Sequence, residues 1–224
     1  MKIRNASEVV EEMMARDPLR DFHVWWDDIS EAGLSRFVEV LDDATDERPL
    51  QQHLEEHPIL LIQHLGGGHG RYVLPQKRLG AEYVPDFMIA DRDSFGFHWH
   101  AVEIESPRAT MFNKNGDPSA GLTHAIRQVQ DWRAWLGRNQ DYAGRLFEKK
   151  GLNLTDITAN VAGLILIGRR DEVDPGTNEL RRRMVEETRI EIHSWDWLVE
   201  RAEGRMQAVA RGKGAAKADD GSAA

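Results

Sequence analysis

The chain has no cysteine, which excludes disulfides and thiolate metal sites. It has no apolar run approaching the roughly 20 residues that a membrane helix needs, so no helical span and no membrane partner are expected. The opening Met1-Lys-Ile-Arg-Asn turns polar at once and offers no apolar core of a secretory signal, so the expected location is the cytoplasm. Positive charge is short: 29 Lys and Arg stand against 38 Asp and Glu, a formal net charge of -9. That balance argues against a protein that coats nucleic acid without specificity, because such binding relies on dense Lys and Arg. The glycine-rich run Leu65-Gly-Gly-Gly-His-Gly lacks the Gly-Lys-Ser/Thr ending of a phosphate loop. No internal repeat is present.

What is present fits one α/β domain of 224 residues with at most a small appendage, since 41% hydrophobic and 30% charged residues are near globular averages. Two segments carry the chemistry. Val84-Pro-Asp-Phe-Met-Ile-Ala90 reads as a strand with Asp86 in its opening, because Pro is tolerated where a strand begins. Trp99-His-Ala-Val-Glu-Ile-Glu-Ser106 alternates, and the two-residue period of a strand puts Ala101, Glu103 and Glu105 on one face. The link between them, Asp91 to Gly96, is a run of turn formers, so the two strands pair antiparallel and Asp86 comes beside Glu103. Carboxylates that close repel one another. They either hold a proton or recruit a cation, and a set of oxygen ligands favours a hard divalent ion such as magnesium or manganese.

Around this hairpin, helices are expected from the capping box Asn5-Ala-Ser-Glu8, from Ser30, from Thr45 or Asp46 with a stop before Pro58, and over about Leu122 to Arg138. Phe22-His-Val-Trp-Trp has strand formers. Ala162-Gly-Leu-Ile-Leu-Ile reads as a strand buried on both faces, followed by a helix near Glu179 to Glu187, a strand at Arg189-Ile-Glu-Ile-His and a helix capped by Ser194. The resulting order is an αβββαβ core: a central mixed sheet flanked by helices. Residues 1–44 form an N-terminal extension, 45–203 the main domain, and 204–224, rich in Gly, Ala, Lys and Asp without periodicity, a disordered tail.

Three further features were weighed on their residues. His53-Leu-Glu-Glu-His57 matches an inverted zinc-peptidase motif, but that chemistry needs His57 inside the helix and Pro58 biases it out. Glu47 is read as a helix-start acid favoured by the dipole, with a place near the carboxylates as the alternative. Arg108 and Lys114, in the loop after the second acidic strand, and Arg169-Arg170, at the end of the buried strand, are the cations placed to meet a nucleic-acid backbone.

Pro85-Asp86 followed on the next strand by Glu103-x-Glu105 resembles the PD-(D/E)XK nuclease superfamily. Taken with Glu47 to Pro58, Leu79 to Phe87, Val102 to Arg108, Gln128-Val-Gln-Asp-Trp132 and Ile167 to Arg170, the chain resembles the Shedu-type anti-phage defence nucleases over about residues 45–203. One position departs from the pattern: Glu105 stands where these proteins usually carry Lys. The resemblance implies a PD-(D/E)XK nuclease-like fold and a metal-dependent endodeoxyribonuclease active in bacterial anti-phage defence. It further implies DNA as the substrate and a homo-oligomeric assembly. It makes Asp86, Glu103, Glu105 and Gln128 the catalytic residues, with Asp86 and Glu103 holding Mg2+ or Mn2+. The alternative is a catalytically inactive nucleic-acid-binding or sensing module on the same fold, in which Glu105 marks loss of the Lys.

Overall fold

Residues Gly70–Pro75, Phe87–Asp93 and Gly96–Ile104 form three consecutive antiparallel strands, β1, β2 and β3, because each alternates side chains that both layers can bury. The β2–β3 turn is tighter than the Asp91–Gly96 link. It closes at Gly96, whose φ of 115° suits glycine, while Asp93 Oδ1 accepts a hydrogen bond from the Phe95 N–H at 2.7 Å. Two further strands, β4 (Ala162–Leu166) and β5 (Ile190–His193), run parallel to β3 in the order β1-β2-β3-β4-β5. This computed structural model describes residues 12, 14–66, 68–173 and 175–220. The helix expected from Asn5 lies largely outside them.

Among the described residues, the helices α1 (Glu31–Asp43), α2 (Arg48–Glu56), α3 (Ala120–Gly144), α4 (Pro175–Thr188) and α5 (Asp196–Asp220) flank the sheet. Ser30 caps α1 by accepting from the Gly33 N–H, and Ser119 caps α3 by accepting from Leu122 N–H, both at 3.1 Å. The sheet divides the core into two layers. Met88, Ala90, Ala101 and Ile165 face Leu122, Val129, Trp132 and Leu136 of α3. Phe87, Ile89, Val102, Leu164 and Leu166 face Phe37, Leu41, Leu50 and Leu54 of α1 and α2 and Leu198 of α5. The order α2, β1, β2, β3, α3, β4 is the αβββαβ arrangement of a PD-(D/E)XK-like fold, with a mixed sheet between helices.

Local readings differ in two places. Phe22 to Trp26 does not form a strand; it lies along the outer edge of β1 through a bridge between His23 and Tyr72 and a Val24 N–H to Arg71 carbonyl bond of 2.8 Å. Asp17, 6% exposed, anchors this strap by accepting from the Tyr72 hydroxyl at 2.6 Å and pairing with Arg92 at 3.3 Å. Ile59 to Ile62, an apolar run that fits a short buried strand or a helix end, lies in a 3-10 turn, Pro58–Ile62, directly after α2. Helix α5 continues to Asp220, through the segment read as a disordered tail; Ala, Arg, Lys and Gln are good helix formers and no Pro interrupts them.

Candidate active site

Pro85 has no N–H to give a ladder, so pairing of β2 with β3 opens at Phe87, opposite Val102. One step outward, Asp86 and Glu103 therefore face each other. Asp86 is held from both sides: its carbonyl accepts the Gln76 N–H at 2.8 Å and its Oδ2 accepts the Ile104 N–H at 2.9 Å. Antiparallel alternation puts Asp86, Glu103 and Glu105 on the face that α3 covers, as the spacing predicts. From α3, Gln128 Nε2 donates to Glu103 Oε1.

The end of β3 is fixed by long-range bonds. The Glu105 N–H donates to the Leu166 carbonyl at 2.8 Å, and the Glu105 carbonyl accepts from Trp195 Nε1 at 2.9 Å. Ser106 Oγ donates to the Thr45 carbonyl at 3.1 Å, which draws the start of α2 to the same corner. A Cβ on Gly121, in the first turn of α3, would lie 3.3 Å from Glu105 Oε2, so the bare glycine at this helix start leaves the Glu105 carboxyl its space.

Electrostatically the corner is short of positive charge. Burial, and then the Asp86 and Glu105 charges, push the Glu103 carboxyl far above the usual carboxylate range, and burial raises Asp86 less because the Ile104 N–H steadies its charge. Two carboxyls this close disfavour double ionisation, so the pair titrates as a unit. Burial with the Glu47 and Asp86 charges raises Glu105 to about 7. Glu47, the residue before α2, therefore reaches this cluster electrically, which the dipole reading of a helix-start acid passes over.

Among the described residues no set of three or more His, Asp or Glu forms a ready metal cage. The donors that fit a hard cation are a pair, Asp86 and Glu103: two desolvated oxygen acids in contact, where a cation would neutralise both. His57 sits outside α2 with φ -128°, as Pro58 dictates, and its ring centroid is 4.6 Å from that of His53.

The loop cations mostly serve the fold. Arg108 donates to the Ala44 carbonyl at 3.0 Å and the Asp42 carbonyl at 2.9 Å, closing the C-terminal end of α1. Arg169 pairs with Asp196 at 3.0 Å and Asp42 at 2.9 Å, and Arg170 pairs with Glu200. Lys114 is exposed in a turn organised by Asn113. One turn to either side of Gln128 on α3, His124 is exposed and Trp132 is 1% exposed in the core, and only Gln128 bonds a carboxylate of the corner.

No curated protein matches the chain. Among solved structures, that of the restriction endonuclease FokI bound to DNA aligns at 13% identity and a TM-score of 0.44, over 92% of this chain and 31% of that one. The family model for the C-terminal part of the Shedu protein SduA matches residues 44–199, a span that holds α2, all five strands and every carboxylate of the corner. With more than half of its length matched, the chain belongs to the Shedu SduA C-terminal family.

Proposed function

We propose that the chain is a metal-dependent endodeoxyribonuclease of bacterial anti-phage defence, hydrolysing DNA phosphodiesters at the corner formed by Asp86, Glu103, Glu105 and Gln128. One observation carries this reading: Asp86 and Glu103 face each other across β2 and β3, desolvated and of like charge, with Gln128 bonded to Glu103. A magnesium or manganese ion held by these two carboxylates would activate water and offset charge on the phosphate. The remaining roles belong to the chain. Asp86 is oriented by the Ile104 N–H, Glu103 by Gln128, and Glu105 is placed to take up a proton near neutral pH. Family membership supports nuclease ancestry, and with it a homo-oligomer in the cytoplasm.

The decisive experiment incubates purified protein with linear and supercoiled DNA in magnesium, manganese or EDTA. Cleavage that depends on the cation and is lost in Asp86→Asn supports the assignment; cleavage that persists in EDTA removes it. A second reading, a DNA-binding module without cleavage, rests on the charge at Glu105. Of the two loop cations that could stand in for a Lys, Arg108 is bonded to the Ala44 and Asp42 carbonyls instead, and Lys114 is exposed in its turn. Binding without cleavage under every cation selects that reading.

A further inference from the structure

At the opposite end of the sheet from the carboxylates, a cavity of about 550 Å³ opens between the strap that covers β1, the glycine-rich loop and α5. It is lined by His23, Trp25, Trp26, Gly68, His69, Gly70, Arg71 and Arg205, with Met14 and Val24 completing the wall. The volume is that of a small-molecule site, roughly 300–1,000 Å³. Its chemistry is unusual for this chain: in a protein of net charge -9, the lining holds two arginines, two histidines and no carboxylate among the described residues. Asp91, opposite Arg71 in the ladder, is the nearest acid acting on it, yet the two form no ion pair among the described residues.

Trp26 is the centre of the arrangement. The Arg71 guanidinium lies 5.8 Å and the Arg205 guanidinium 5.2 Å from its ring centroid, so both cations crowd one indole. Trp25, beside it, is 48% exposed, and its ring lies 4.6 Å from His23. The guanidiniums are positioned but not neutralised. Arg71 spends Nε and Nη2 on the Leu65 and Gly66 carbonyls, and Arg205 spends Nη2 on those of Gln63 and Leu65. Nη1 of both arginines and Nε of Arg205 have no partner among the described residues. Backbone carbonyls fix the forks without supplying a counter-charge.

A ligand that completes this site needs a flat π-face and close to two negative charges. A phosphate monoester carries about -1.5 to -2 near neutral pH and matches the planar arginine fork, whereas one carboxylate would answer only one guanidinium. A base stacked on tryptophan adds affinity without requiring a particular sequence. We propose that this cavity binds a free nucleotide, with its base against Trp25 and Trp26 and its phosphate on the open edges of Arg71 and Arg205. The cavity wall at Arg71 faces Asp91, and five residue steps along the chain lead from Asp91 to Asp86, roughly 16 Å at strand rise. The bound nucleotide is therefore not the substrate of the carboxylate corner but a separate ligand of the domain. The glycine-rich loop contributes open wall here and not a phosphate cradle: a Cβ on Gly68 would meet nothing within 4 Å.

The test is calorimetric titration of the full chain in EDTA with AMP, GMP, CMP and UMP, alongside adenosine, inorganic phosphate and a 12-nucleotide single strand. Saturable 1:1 binding of at least one monophosphate at about 10–100 μM is expected. Adenosine and phosphate alone should bind at least about tenfold more weakly, and Trp25→Ala, at a half-exposed site, should weaken the nucleotide about tenfold while the melting temperature holds. Arg205→Gln tests the phosphate end by losing affinity for the monophosphate but not for adenosine. Absence of saturable binding by all four nucleotides overturns the proposal, as does unchanged affinity in a folded Trp25→Ala. Binding of the single strand more tightly than any monophosphate also overturns it and makes the cavity part of a nucleic-acid path.

Discussion

The Asp86 carboxylate accepts a 2.9 Å hydrogen bond from the N–H of Ile104, the residue that separates Glu103 from Glu105. One side chain is thus locked to the middle of the acidic strand end, and the three carboxylates keep a common origin. Replacing Asp86 by Ala would remove both a charge and the acceptor of a backbone donor, mixing a functional loss with a structural one. Asp86→Asn keeps an acceptor. We expect Asp86→Asn and Glu103→Gln to abolish cation-dependent cleavage, while Glu103→Gln raises the melting temperature by a few degrees, because it removes a buried carboxyl crowded by like charge. A folded Glu103→Gln protein that still cleaves places the chemistry elsewhere.

Gln128 touches a carboxylate and not the reacting atoms, so it is a positioning residue. Gln128→Ala should cost about 10–100-fold in activity, the usual range for groups that orient a ligand, and the loss should shrink at high magnesium. A loss that magnesium does not reduce would point to direct contact with DNA.

Cation binding should show without catalysis. An ion held by the folded pair alone stabilises by mass action, about 2.7 kcal/mol at a hundredfold excess over its dissociation constant. Thermal denaturation should therefore shift upward with magnesium or manganese in the wild type, and stay put in Asp86→Asn.

The hairpin was legible because its signals are local. Alternation from Trp99 to Ser106 fixes a face, Pro85 fixes a beginning, and a short turn fixes which residues can meet. Helix α3 was legible for the same reason, through Leu122, Val129 and Leu136. What stayed hidden depends on distant carbonyls and charges. Nothing near Arg108 announces that its partners are the last carbonyls of α1, some 64 residues earlier. Glu47 joins the corner only because Ser106 bonds Thr45. Trp25 and Trp26 read as strand formers, yet their place is set by an edge they cannot fully pair with.

Arg108 and Lys114 now part company. Arg108→Ala should lower stability by about 1 kcal/mol, since it abandons two carbonyls at the end of α1, and leave the salt dependence of DNA binding unchanged. Lys114→Ala should leave stability alone and reduce the salt slope by about one phosphate contact. Melting curves and binding isotherms over a salt series read both.

His64 supplies a pH dependence away from the carboxylates. Both its ring nitrogens are buried without hydrogen-bond partners, and burial, aided by His100, lowers its pKa to about 3, with Glu191 opposing and His193 and Arg201 adding to the shift. Below about pH 6.5 the unfolded chain takes a proton that the folded one refuses, so stability present at neutral pH is lost as pH falls toward 3. At pH 5 the loss from this group is about 2 kcal/mol. His64→Leu should therefore lose less stability than wild type between pH 7 and 5, measured by denaturant unfolding. Parallel pH curves for the two proteins would mean that His64 titrates normally.

Glu105 decides between the enzyme and the binding module. Its backbone is fixed by Leu166 and Trp195, and its side chain shares a face with Glu103, two residues or about 6–7 Å along the strand. Lys at this position would offer a positive charge to the phosphate. Glu cannot, but a half-buried carboxyl beside other acids can hold and release a proton in the neutral range, and the usual contribution of such a base is about 10²–10⁴-fold. If the chain cleaves DNA, Glu105→Gln should lose activity on that scale with binding intact, because only the proton acceptor is gone. Glu105→Lys should not rescue it, since a protonated ammonium cannot take up the proton that the carboxyl accepts. If the chain is a decayed nuclease, Glu105→Gln changes nothing measurable and the wild type cuts under no cation. An inactive wild type that gains magnesium-dependent cleavage as Glu105→Lys would establish that reading, because the substitution would have restored the one charge the corner lacks while Asp86, Glu103 and Gln128 remained in place to use it.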